Sequence, residues 1–200
     1  MSLAAAEKER LTVDEYLRKE RVSVEKHEYW RGEIFAMAGA SHAHNLIVAN
    51  TIFALMQALR GKCLVYPSDM RLHVPASGLF TYPDVSVVCG PPQFLDGAED
   101  TLENPAVLVE VLSPATESYD RGKKFEGYRS IPSFADYLLI AQDRVMVEHY
   151  RRQEGGGWLL VERRAGEGLR LGCGEIAVDD LYLGLERPGA APSGPTPGRP

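Results

Sequence analysis

Apolar and polar positions along the first sixty residues predict two helices with paired strands between them. Residues 12–15 have the form of a capping box, which marks the start of a short helix. Residues 27–39 alternate around a central glycine, and this pattern predicts a hairpin or two short strands. Ser41 is a suitable N-cap for a longer helix, which we expect to continue to Arg60 and to stop at Gly61.

Short apolar runs between turn residues predict that the rest of the chain is mainly strands. Residues 118–130 predict one further helix, and a short element is expected near residue 182. This order predicts an α/β fold built around one mixed sheet flanked by helices. The predicted strands are 63–67, 69–75, 84–90, 106–113, 136–141, 144–152 and 157–164.

The length of the chain fits a single domain with a short tail. The chain has 200 residues, and we expect residues 1–186 to form one domain. Residues 187–200 are dominated by proline, glycine and small residues, and this composition predicts a disordered tail.

The charge and the cysteines limit the possible functions. The formal net charge is −6, so binding of nucleic acid would need a local basic patch. No stretch reaches the roughly 18 apolar residues of a membrane span, so no membrane association is expected. Cys63, Cys89 and Cys173 form no CxxC pair, which predicts neither a cysteine zinc site nor a disulfide framework and favours a reducing, cytoplasmic location.

One carboxylate interrupts the apolar run 106–112. Glu110 lies in an otherwise buried strand, where an isolated charge costs several kcal/mol. Asp84 opens another predicted strand. If these strands are neighbours, the two carboxylates meet at one edge of the sheet, and oxygen ligands of this kind suit Mg²⁺. The alternatives are a buried ion pair with an arginine for Glu110 and a strand-start role for Asp84.

A second set of polar residues lies in the helix predicted after that strand. Asp120, Lys124 and Tyr128 are four residues apart and share one face of a helix. They either form an ordinary Asp–Lys pair or place the ammonium beside the carboxylates, where it can stabilise developing negative charge. The roles of two upstream residues are also undecided from the sequence. His44 is either a capped residue at the helix start or part of the site, and Glu33 is either a surface residue of its strand or part of the site.

Together these motifs resemble the Uma-two family. The resemblance rests on "YPDVSVV", "PAVLVEVLSPAT" and "YDRGKKFEGYRSIPSFADYLLI", and it covers roughly residues 12–150. Since that family is similar to the PD-(D/E)XK nuclease superfamily, the resemblance implies a restriction-endonuclease-like fold. It also implies a DNA endonuclease that hydrolyses phosphodiester bonds with Mg²⁺ or Mn²⁺ as its cofactor.

The resemblance also implies roles for individual residues. Asp84 matches the aspartate of the PD pair and Glu110 the acidic residue of the second half-motif, so both are expected to bind the metal. The usual lysine position is occupied by Leu112, so Lys124 is the best match for the lysine and Lys123 is the fallback. The other matches are the upstream acid and histidine, Glu33 and His44, and the residues expected to orient the lysine, Asp120 and Tyr128.

The displaced lysine and the negative net charge keep a second interpretation open. In that interpretation the same fold serves as a non-catalytic DNA-associated or protein-interaction module. Convergence of Asp84, Glu110 and Lys124 in a cleft would favour the enzyme, whereas a Glu110–arginine pair would favour the module. Because nucleases of this fold often pair to cut two strands, a homodimer is also expected.

Overall fold

Two mixed β-sheets share an apolar core in the computed structural model, which describes residues 10–37 and 39–185. The strands are β1 (His27–Trp30), β2 (Glu33–Ala36), β3 (Cys63–Pro67), β4 (Arg71–Val74), β5 (Leu79–Thr81), β6 (Val85–Cys89), β7 (Thr101–Leu102), β8 (Val107–Val111), β9 (Asp136–Ile140), β10 (Met146–Arg152), β11 (Trp158–Arg164), β12 (Gly168–Arg170) and β13 (Glu175–Ala177).

The larger sheet has six strands in the order β11-β10-β9-β8-β6-β3, and the smaller one has five in the order β2-β1-β5-β4-β7. Each contains one parallel pair, β8 with β9 and β4 with β7. The α/β class predicted from the sequence is confirmed, but the expectation of one sheet is wrong. Strands β5 and β7, of three and two residues, are too short to show an alternating pattern, and without them the second sheet could not be recognised.

The helices begin where the sequence predicts. The first, α1 (Val13–Glu20), opens on the predicted capping box of Thr12 and Glu15, and α2 (His42–Ala58) is capped by Ser41. The predicted helix 118–130 is a continuous but irregular segment. It consists of α3 (Glu117–Tyr119), a π-helical turn (Asp120–Lys124) and α4 (Phe125–Tyr128), and the last helix of the described chain is α5 (Val178–Leu181).

The two faces of the six-stranded sheet are covered differently. Val85, Val109 and Leu138 face α2, α5 and the β12–β13 hairpin. Leu108 and Tyr137 face the opposite way, toward the five-stranded sheet and the helical segment 117–128. Since side chains alternate along a strand, Glu110 lies on the same face as Leu108 and points between the two sheets.

A disulfide joins Cys63 and Cys89, which the sequence did not predict. The two cysteines are 26 residues apart in the chain, yet they are directly opposite each other in the antiparallel pair β3–β6. Spacing along a chain does not reveal which strands pair, so a scattered set of cysteines carried no disulfide signal.

Two further expectations concern the ends of the chain and the membrane. The predicted tail, residues 187–200, lies outside the described residues. Among the residues that the structure describes, no helix is both long and apolar enough to cross a membrane.

Candidate active site

Neighbouring strands bring Asp84 and Glu110 to the same end of the larger sheet. Strands β6 and β8 pair antiparallel with Val85 opposite Val109, so the residue before β6 reaches the level of Glu110. The Asp84 carboxylate accepts a hydrogen bond from the Val111 amide at 2.7 Å. The two predicted metal ligands therefore come from adjacent strands, with one oxygen of Asp84 fixed by the backbone.

His44 reaches this pair from the start of α2. Its Nε2 lies 3.2 Å from Oδ2 of Asp84. The first turn that carries it is held by Ser41, whose hydroxyl accepts from the His44 amide at 3.0 Å and donates to Gln142. Gln142 in turn donates to the Leu112 carbonyl at 2.6 Å, so the helix start is tied to the end of β8.

Lys124 lies among three carboxylates. Its Nζ is 3.2 Å from Glu110, 3.0 Å from Asp120 and 3.4 Å from Glu28. The lysine is only 5% exposed and Glu110 only 4%, so the contacts are made away from bulk water. The sequence left Glu110 as either a metal ligand or the partner of an arginine; in the structure its cationic partner is Lys124, a lysine from the following helix.

Glu28 is the carboxylate that sequence reasoning missed. It lies on β1, on the face of the smaller sheet that turns toward the larger one, and accepts a hydrogen bond from Thr81. Its chain position, within a four-residue strand next to His27 and Tyr29, showed nothing that separated it from surface alternation. A buried lysine needs more negative charge than one strand provides, and this requirement could have prompted a search for a further carboxylate such as Glu28.

Tyrosine hydroxyls fix the carboxylates in place. Tyr128, which the resemblance assigns to orienting Lys124, donates to Glu110 at 2.9 Å. Tyr137, from β9, donates to the backbone carbonyl of Asp120 at 3.2 Å and so anchors the π-helical turn. The Lys124 ammonium also lies 5.5 Å from the ring centre of Tyr119.

Burial and crowded negative charge set the protonation of the site. Burial raises the pKa of Glu110 well above its usual range, and Asp120 and Asp84 add to the rise although Lys124 and Tyr128 oppose it. Burial lowers the pKa of Lys124, but Glu110, Glu28 and Asp120 outweigh it and raise the pKa well above that of a free lysine. The ammonium is therefore charged, and the surrounding carboxylates hold more negative charge than it neutralises.

This surplus of oxygen ligands suits a hard divalent cation. Three carboxylates, those of Glu28, Glu110 and Asp120, contact one ammonium here, and a fourth, Asp84, acts on Glu110 and pairs with His44. Within the described chain, the buried Oδ1 of Asp120 has no hydrogen-bond partner, because its 3.0 Å approach to Lys124 lacks hydrogen-bond geometry. Oxygen donors with unneutralised charge are the ligands that Mg²⁺ and Mn²⁺ prefer.

Two of the predicted site residues lie outside this arrangement. Lys123 is exposed, and its ammonium lies 4.9 Å from the ring centre of Trp30. Glu33 pairs with Trp30 across the β1–β2 hairpin, on the same face as Glu28. In the part of the chain that the structure describes, no hydrogen bond or ion pair joins Glu33 to the other carboxylates. The geometry therefore favours Lys124 over Lys123, and Glu28 over Glu33.

A protein family and two known proteins match this sequence. The Uma2 family, described as "Putative restriction endonuclease", matches residues 13–174. Uncharacterized protein slr1290 of Synechocystis sp. is 37% identical over 179 residues, covering 88% of this chain and 93% of its own. Uncharacterized protein sll1609 of the same organism is 39% identical over 153 residues, covering 76% of this chain and 86% of its own.

A solved structure has a similar fold. It is described as "a putative nuclease belonging to DUF820" from Anabaena variabilis, and it matches with a TM-score of 0.68 at 18% identity. The match covers 86% of this chain and 97% of the other. The structure supports the restriction-endonuclease-like fold, and the sequence match carries the family assignment: this chain belongs to the Uma2 family of restriction-endonuclease-like proteins.

Proposed function

We propose that this protein is a divalent-metal-dependent endonuclease that hydrolyses phosphodiester bonds in DNA, with Mg²⁺ or Mn²⁺ as its cofactor. The observation that carries the proposal is the convergence of Glu110, Asp84 and Lys124 between the two sheets. The family match supports a nuclease, and nucleases with this fold generally use divalent metals.

Asp84 and Glu110 are the residues that would hold the metal. They come from adjacent strands, and the charge around them exceeds what Lys124 neutralises. A divalent ion bound there supplies charge stabilisation to the scissile phosphate and lowers the pKa of a coordinated water.

The protein groups then position the reactants and manage charge. The Lys124 ammonium stabilises negative charge that develops at the phosphate, which is worth most where water is excluded. Tyr128 and Asp120 orient the Glu110 carboxylate and the lysine through the contacts described above. His44 holds Asp84 and, at the more open side of the site, can take up or release a proton.

The approach for DNA lies on the side of His44 and Asp84. Their side chains are 16% and 15% exposed, compared with about 5% for Glu110 and Lys124. Two basic residues could contribute to such binding: Lys123 and Arg31 each lie 4.9 Å from the ring centre of Trp30. We propose that Lys123 and Arg31 contact DNA phosphates. Such a local basic surface can bind DNA although the net charge of the chain is −6.

A non-catalytic module is the second candidate, because Lys124 is already surrounded by carboxylates in the structure. A buried network of this kind also occurs as a purely structural feature. The two candidates differ in their prediction for catalysis, and the same set of variants separates them.

The test is cleavage of supercoiled plasmid by the purified chain with Mg²⁺ or Mn²⁺, with and without a chelator. We expect nicked or linear DNA only with free metal. Glu110→Gln should slow the reaction by about 100-fold or more, because a lost metal ligand costs several kcal/mol of transition-state stabilisation. Glu126→Gln, an exposed change in α4, is the matched control and should cleave normally. Equal activity of the wild type and Glu110→Gln would refute the proposal and identify a contaminating nuclease.

We also propose that the protein acts as a homodimer. Cutting both strands of a duplex calls for two centres of opposite polarity, which a two-fold dimer provides. The mass of the protein in solution, measured by light scattering with and without duplex DNA, tests the dimer. A monomer under both conditions would contradict it.

A further inference from the structure

The three cysteines of the chain meet at the far end of the larger sheet. Cys63 on the edge strand β3 is directly opposite Cys89 at the end of β6, and Cys173 lies in the turn between β12 and β13. The three Sγ atoms all lie within 4.8 Å of one another. Three segments that are distant in the chain therefore each contribute one sulfur to one place.

The turn that carries Cys173 is held on both sides. The Leu171 amide donates to the Gly174 carbonyl at 2.7 Å and closes the turn. The Gly172 amide donates to the buried Asp136 carboxylate at 2.8 Å. Gly174 packs so closely on Leu59 that a Cβ at this position would lie 2.6 Å from the leucine side chain. The third sulfur is thus positioned by the fold.

A disulfide accounts for only two of the three sulfurs. Cys63 and Cys89 are bonded to each other, which leaves Cys173 as a thiol beside them. Burial raises the pKa of the Cys173 thiol, and the neighbouring Asp136 carboxylate raises it further. A thiol with a raised pKa attacks disulfides slowly at neutral pH, so exchange between the three cysteines does not explain the cluster.

We propose that, once the Cys63–Cys89 disulfide is reduced, the three cysteines form a binding site for a thiophilic divalent cation of the Zn²⁺ class. A dithiol or phosphine reductant takes the two sulfurs to thiols and is itself oxidised. The cation then displaces the three thiol protons to solvent and binds three thiolates. Cys89 is the exposed member, so water can complete a tetrahedral set on that side.

The geometry is close to what such a cation needs. Zn–S bonds of about 2.3 Å place tetrahedral sulfurs roughly 3.8 Å apart. Cys173 already lies within 4.8 Å of the other two sulfurs, and reduction frees the bonded sulfurs of Cys63 and Cys89 to move apart to this separation. The Asp136 carboxylate disfavours the thiolate form of Cys173, whereas a cation bound to the sulfur favours it.

The proposed cation site is distinct from the carboxylate cluster. Asp84 precedes the first residue of β6 and Cys89 ends the strand, and five residues of extended chain separate them by about 16 Å. Soft sulfur ligands at one end and hard oxygen ligands at the other select different metals. The site would tie the edge strand β3 to the β12–β13 hairpin, so its expected role is structural, and it does not depend on the proposed nuclease activity.

Cobalt titration of the reduced chain tests the proposal. The protein is reduced with a phosphine, and a thiol assay under denaturing conditions verifies three free thiols. We expect Co²⁺ to give thiolate-to-metal charge-transfer absorption that saturates at one equivalent and disappears when Zn²⁺ is added. Cys173→Ser should weaken Zn²⁺ binding by about 100-fold or more, as expected for the loss of one of three or four ligands.

Two further variants make the result specific. Glu110→Gln should keep the full thiolate absorption, so a failure of the nuclease proposal leaves this one intact and the reverse also holds. Zn²⁺ should raise the unfolding temperature of the reduced wild type and not that of Cys173→Ser. Absence of thiolate absorption in a wild type with three verified thiols, or unchanged absorption in Cys173→Ser, would overturn the proposal.

Discussion

A single ammonium, that of Lys124, stabilises three carboxylates between the sheets. Glu110 and Asp120 could be assigned to it from the sequence, because a half-motif and a four-residue spacing placed them on known faces. Glu28 could not, because its approach depends on how a second sheet packs over the first. Glu33 lies two strand positions away on the same face, so the sequence pointed to this hairpin, and Glu28 is the carboxylate of the hairpin that contacts Lys124.

Removal of the ammonium should destabilise the chain strongly. Lys124→Met leaves three buried carboxylates without their cation, and loss of one partner of a buried ion pair costs about 3–5 kcal/mol. Urea unfolding at neutral pH measures the change. Lys123→Met is the matched control, since that side chain is exposed and loses only a contact with Trp30 worth about 0.5–1 kcal/mol. Equal losses for the two variants would contradict the account.

The raised pKa of Glu110 predicts a pH dependence of stability. A carboxyl whose folded-state pKa lies above its unfolded value of about 4.3 holds its proton more tightly when folded. Its contribution to stability is complete below that unfolded value and is lost as the pH rises through the folded one. We therefore expect the metal-free wild type to lose unfolding free energy relative to Glu110→Gln as the pH rises above about 4.3. A difference in unfolding free energy that does not change with pH would show that Glu110 ionises normally.

At the scale of elements, helix starts were predictable and irregular segments were not. The capping box at Thr12 and the cap at Ser41 are local signals, and both helices begin there. The π-helical turn Asp120–Lys124 was hidden because its residues also fit a regular helix. Strands of two or three residues carry too few positions for a period to be visible.

The cap at Ser41 should matter for both stability and the site. Ser41→Ala removes the acceptor of the His44 amide, which costs about 0.5–2 kcal/mol, and it loosens the turn that holds the imidazole beside Asp84. Thermal unfolding and the cleavage rate measure the two effects. Ser41→Thr keeps a hydroxyl at this position and should remain close to the wild type. A Ser41→Ala variant as stable and as active as the wild type would contradict this role of the cap.

At the scale of the whole molecule, the sequence predicted the fold class but not its number of layers. The α/β class and the order of the long strands follow from apolar periodicity. The packing of two sheets around the carboxylates does not, because strand pairing between distant segments leaves no local pattern. The cysteine cluster was missed for the same reason: its members come from β3, β6 and the β12–β13 turn.

The distribution of charge predicts how DNA binding responds to salt. With a net charge of −6, affinity should depend on a few local cations, among them Lys123 and Arg31. Lys123→Gln should weaken binding similarly for all sequences and reduce the slope of log affinity against log salt by about 1. Fluorescence anisotropy with a catalytically inactive background, Glu110→Gln, measures the slope. An unchanged slope would remove Lys123 from the DNA-contact surface.

The central claim is that Asp84 and Glu110 together hold a divalent cation, and calorimetry of Mn²⁺ binding tests it most directly. The chain is titrated in its oxidised form, so that the cysteines take no metal. We predict one site in the wild type and in the exposed control Glu126→Gln, with binding lost in both Glu110→Gln and Asp84→Asn. Binding that persists unchanged in these two variants, in chains that are folded by circular dichroism, would contradict the account.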